Sequence, residues 1–92
     1  MIVRIATEGQ YELDDDQAPR LNELDNAVVD AVGAGNQETF RRLFDEMLEL
    51  VRSQGRVLDD DDLRDSEVII PPPDLTLAEA GEEFSGEGLI PG

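Results

Sequence analysis

Two apolar stripes of helical period, parted by a short break, set most of what this chain can fold into. Leu21, Leu24, Val28 and Ala31 recur at spacings of three and four, with Val32 beside them, which places them on one face of a helix. Phe40, Leu43, Phe44, Met47, Leu48 and Val51 repeat the pattern over a wider face, with Glu38, Arg41, Arg42, Asp45, Glu49 and Arg52 on the other side. Between the stripes, Gly33-Ala34-Gly35 ends the first helix and Asn36 is a good N-cap for the second. So short a link makes the helices pack antiparallel as an αα-hairpin. Asp14, Asp15 and Asp16 are expected to cap the first helix, and Pro19, tolerable only in a first turn, puts its start near Asp16 to Ala18. Gly55 fits the C-cap of the second. Along that helix Glu38 and Arg42 attract at i,i+4, while Asp45 and Glu49 repel.

The flanking segments read as extended chain and one more short helix. Met1, Val3 and Ile5 alternate with Ile2, Arg4 and Ala6, and Tyr11 and Leu13 alternate with Gln10 and Glu12. This period of two predicts a hairpin closed at Thr7-Glu8-Gly9, free to join a later segment in one small sheet. Arg4 then sits on the wet face or pairs with a half-buried acid. Arg56-Val57-Leu58 is a candidate brief strand, and Val68-Ile69-Ile70 has β-branched strand character. Pro71-Pro72-Pro73 stops it and stiffens the chain towards polyproline geometry. Thr76 and Glu79 have the form of a capping box for a short last helix with Leu77, Ala80 and Phe84 on one face. Gly81 weakens that helix by about 1 kcal/mol relative to Ala, and Ser85-Gly86 closes it. The apolar tail Gly88-Leu89-Ile90-Pro91-Gly92 is expected to dock on the domain or on a partner. The fold class predicted is α+β in a single domain, residues 1–92: an N-terminal β-hairpin, a central antiparallel αα-hairpin, a short extended segment and a small C-terminal helix.

Composition bounds the function. The chain has no His, Cys, Lys or Trp, and 23 carboxylates face seven arginines for a net charge of −16. Self-repulsion of that size opposes compaction and is screened by salt over about 10 Å at 0.1 M. A cytosol of very high salt and a GC-rich genome that favours arginine codons each explain the missing lysines. The acid excess, which base composition alone does not produce, favours salt adaptation. Nucleic acid is disfavoured as a partner, because binding it requires clustered basic residues, and direct adsorption to anionic lipid is disfavoured for the same reason. No run approaches the roughly 18 apolar residues of a membrane span, and Met1 to Ile5 holds no apolar stretch long enough for a signal peptide. The absence of Cys gives no support for an oxidising compartment, so the expected location is cytoplasmic.

Little catalytic chemistry is left. Ser53, Ser66 and Ser85 lack any His or Lys to activate them. Paired carboxylates need a cleft and raised pKa values to act as acid and base, for which so small a domain offers little room. Asp59-Asp60-Asp61-Asp62 invites a Ca²⁺ or Mg²⁺ reading. It lacks the alternating ligands, bend glycine and distal Glu of a calcium loop, so a solvated loop is the better reading. No catalytic residue, metal site or cofactor is expected. The stripe at Leu21, Leu24, Val28 and Ala31 suits a core face; the same spacing also suits a helix docking on a partner coiled coil. Tyr11, the only Tyr, either anchors an interface or caps the hairpin packing.

The chain resembles one family along its whole length. Ile2-Val3-Arg4-Ile5 and Glu8-Gly9-Gln10-Tyr11 open it, and Leu21-Asn22-Glu23-Leu24-Asp25 lies on the first helix. Val68-Ile69-Ile70-Pro71-Pro72, Asp74-Leu75-Thr76 and Glu87-Gly88-Leu89-Ile90-Pro91 follow in order. Together they look like the PspA-associated protein family, PspAA, of archaea and actinobacteria. That resemblance implies a non-enzymatic role beside PspA, the long helical, membrane-remodelling protein of the phage-shock envelope-stress response. A chain of this kind would act as a cytoplasmic adaptor or modulator of a PspA-like coiled-coil protein, reaching the inner face of the membrane only through that partner and without inserting into it. It is compatible with a homo-oligomer. The residues expected at the partner surface are Tyr11, Leu21, Leu24, Asp25, Leu89 and Ile90. The competing reading, from charge alone, is an acidic inhibitor or antitoxin-like module that occupies a basic site on another protein.

Overall fold

A computed structural model describes residues 1–59 and 65–84. The hairpin forms as its alternation requires: β1 (Ile2–Ile5) pairs antiparallel with β2 (Gly9–Glu12), with Val3 opposite Tyr11 and Arg4 opposite Gln10. Thr7 and Gly9 take positive φ, 73° and 130°, to make the turn. Two helices follow, α1 (Ala18–Gly33) and α2 (Gln37–Gln54), packed on each other. β3 (Arg56–Val57) then returns antiparallel to β2, and β4 (Val68–Ile70) lies parallel to β1, in the sheet order β3-β2-β1-β4. α3 (Leu77–Glu83) completes the described chain. This is the predicted α+β class, with the extended segment before the prolines recruited as the fourth strand.

Alternation along the strands decides which side of the sheet the helices cover. Val3, Ile5, Val68 and Ile70 are buried in one cluster with the apolar faces of α1, α2 and α3, while Arg4 and Ile69, paired between them, are exposed. Arg4 therefore takes the wet face. On that side, Gln10 Nε2 donates to Ser66 Oγ at 2.7 Å, which ties β2 to the residues leading into β4.

The helix ends follow local chemistry, with one departure. Asn36 accepts from the Thr39 N–H at 3.1 Å, and Thr76 and Glu79 form both bonds of the capping box. The three acids before α1 do not cap it. Asp15–Gln17 form a 3-10 turn whose backbone bonds, Gln17 N–H to Asp14 and Ala18 N–H to Asp15, occupy these donors, and no side chain caps either element. The acids still lie at the positive end of the α1 dipole.

Gly55 ends α2 in extended geometry (φ −89°), so its value lies in closeness and not in positive φ. A Cβ there would lie 2.5 Å from the Val51 carbonyl oxygen and 3.1 Å from Tyr11 Cβ, both fixed by packing. Gly55→Ala should cost on the order of 1–3 kcal/mol, read as a lower urea midpoint. Phe84 is 1% exposed and meets both Phe40 and Phe44 edge-on, at centroid distances of 6.5 and 5.9 Å. Phe84→Ala should cost about 3–5 kcal/mol, seen in the same titration as a much earlier transition.

Candidate partner-binding surface

The residues expected at a partner surface separate in space. Leu21 and Leu24, 1% and 4% exposed, line the inner face of α1 with Val28 and Ala31. Asp25 beside them is wholly buried and its polar atoms are satisfied. That part of the stripe is core. Tyr11 is half-buried on β2, in register between Val3 and Val57. Leu89 and Ile90 lie outside the described residues, as do Asp60 to Asp62 of the acidic run; Asp59 is exposed. Among the described residues of the expected set, only Tyr11 keeps an accessible side chain.

Tyr11 belongs to a small polar cluster that joins the hairpin to α2. Glu8 in the hairpin turn accepts from Arg52 in the last turn of α2, through Nε at 2.9 Å and through a second, Nη2 contact. The hydrogen bond from Arg52 is the main cause that holds the Glu8 carboxyl below its ordinary 4.5; partial burial pushes the other way, and the Arg52 charge and the Tyr11 hydroxyl lower it further. Arg56 pairs with Glu12 across β3 and β2. The first pair secures the hairpin to the end of α2, and the second ties β3 to β2.

Arg41 does the corresponding task at the other end of α2. Its guanidinium donates to Asp45 at 2.7 Å and to the Pro73 and Leu75 carbonyls at 2.9 and 3.3 Å, and lies 5.2 Å from the Phe44 ring centroid. The turn after the proline run is thereby held on α2. Arg20 pairs with Glu23 at 3.4 Å. Arg20, Arg41, Arg52 and Arg56 thus each face a carboxylate of the same chain, and with 23 acids against seven arginines the outward field is strongly negative.

What sequence spacing did not single out is the outer seam of the helix pair. Leu43 and Leu50 stand half-buried at the border of the α2 apolar face, and a groove opens there between α1 and α2, lined by Leu24, Leu50, Arg20, Glu46, Glu49 and Ser53. The available signal was the width of the α2 face, which exceeds what one contact needs. Two large apolar side chains are also left out on the sheet, Val57 at 77% and Ile69 at 58% exposure.

The described residues thus form a small four-stranded sheet under a helix pair, with an acidic exterior and an apolar seam. The family model of the PspA-associated protein, PspAA, matches residues 1–92, and the chain belongs to that family. No curated protein and no solved structure matches it.

The Glu8–Arg52 pair sets a pH dependence. The folded pKa of Glu8 is lowered, so its contribution to stability is present above the unfolded value near 4.5 and is lost as pH falls through the folded pKa. The pair is exposed, so the contribution is at most about 1 kcal/mol. Glu8→Gln should be less stable than the parent near neutrality, and the gap should close as pH falls below 4.5, measured as urea midpoints across that range.

Proposed function

We propose that this chain is a non-enzymatic acidic adaptor, one domain over residues 1–92, that binds a PspA-like membrane-remodelling protein in the envelope-stress response and restrains or activates it by contact. The observation that carries the reading is the match of the PspA-associated family along the whole chain. It is what favours an adaptor over an acidic inhibitor of some unrelated basic site.

Four features support it. The family is one associated with PspA by name, and it is not known for catalysis. The inventory without His, Cys or Lys leaves recognition, not bond chemistry, as the use of the surface. Among the described residues no helix is long and apolar enough to cross a membrane, which suits a protein that reaches the membrane through its partner. A net charge of −16 steers encounter with a positively charged stretch and makes that encounter depend on salt. Tyr11, Leu89 and Ile90 stay in the proposal as contributors, Tyr11 from the hairpin and the two others from the apolar tail.

The test is co-purification of this chain with the PspA-like protein of the same genome, at the salt of the organism's own cytosol. A stoichiometric complex by size exclusion is expected. Failure to form a complex at any salt concentration removes the adaptor reading.

A further inference from the structure

The seam between α1 and α2 has a shape and a charge pattern that select an occupant. The groove is an open depression of about 280 Å³ where α1 begins and α2 ends. Its floor is Leu50, half-buried against the core, beside Leu24. Leu43, two turns earlier on α2 and also half-buried, continues the apolar row. Glu46 and Glu49 are exposed along the rim. The basic residue of the lining, Arg20, is held by Glu23 at 3.4 Å, so the rim is acidic overall.

We propose that this groove receives a basic amphipathic helix, contributed by the PspA-like partner if the adaptor reading holds. Apolar side chains at i, i+3 or i+4 and i+7 of that helix seat on the half-buried Leu50 and Leu43, and its flanking lysines or arginines meet Glu46 and Glu49. Charge excludes the alternatives. An acidic helix, or a second copy of this chain, would bring like charges onto the rim of a protein already at −16. An anionic lipid surface is repelled for the same reason. Glu46 and Glu49 thus set which helix is accepted, and the leucines hold it.

The experiment uses two double variants of equal charge change. Glu46→Arg/Glu49→Arg alters the rim; Asp65→Arg/Glu67→Arg alters exposed acids in the sheet layer, at the foot of β4. All the substituted residues are exposed, and circular dichroism verifies the fold of each variant. Binding of a synthetic leucine–lysine amphipathic helix of about 18 residues is followed by fluorescence anisotropy. The sheet-side variant should bind it within roughly threefold of the parent, and the rim variant at least about tenfold more weakly. Equal weakening in both variants, or no binding to the parent chain, overturns the groove. The same variants titrated with the full-length PspA-like protein separate the two ideas. Parent binding that is indifferent to the rim change keeps the adaptor and rejects the groove. Peptide binding that follows the rim, with no binding of the full-length protein, keeps the groove and rejects the adaptor.

Discussion

Three phenylalanine rings meet where α2 faces α3, and the packing of the rest is referred to that contact. Phe40 and Phe44 stack 5.5 Å apart along α2, and Phe84 meets both edge-on from the end of α3. Such pairs add about 0.5–1.5 kcal/mol beyond the area they bury. In a chain whose aromatic content is 4%, all the phenylalanine is spent at one place. The inner face of α2 joins α1, α3 and the buried side of the sheet in one core cluster, and Arg41 lies over the stack while holding the turn after the prolines. The core elsewhere is aliphatic and fills in around this point.

The helical half of the fold was legible because its signals are local. Asn36, Thr76 with Glu79, and the stripes at 3.6-residue period each act within one or two turns, and the structure forms the helices they mark. The sheet was only half legible. β1 and β2 announce themselves by alternation, but nothing in Val68-Ile69-Ile70 states that it will lie parallel to β1, since the partner is at the far end of the chain. Asp14 to Asp16 mislead for a related reason: acids before a helix serve the dipole whether or not they cap, and a 3-10 turn took the donors. Gly55 reads as a C-cap, yet what excludes a larger residue is the approach of Val51 and Tyr11, a tertiary fact.

The candidate surface shows the same division. Leu21 and Leu24 satisfy a helical stripe, and stripes do not say whether their partner is the same molecule or another; here Leu21 and Leu24 are buried in this chain's own core, and Asp25 is buried beside them. The groove beside them is a product of how far apart two helices settle, which depends on side-chain size at the whole interface. Charge, by contrast, transfers directly from sequence to surface. Carboxylates are costly to bury, so among the described residues all but Asp25 reach the surface, and the four ion pairs to arginine found there do little to offset the excess.

The strand order β3-β2-β1-β4 has a consequence for the order of assembly. The hairpin that forms the middle of the sheet precedes both helices in the chain, and its turn can close on a microsecond timescale. Yet the outer edge of β1 stays without its strand until both helices have been made, because β4 comes after them. Joining ends that are distant in sequence costs loop entropy before any contact returns it. β1 therefore waits as an unfinished edge while both helices are made, guarded by Arg4 and by repulsion between acidic chains, and β4 is the strand that seals it.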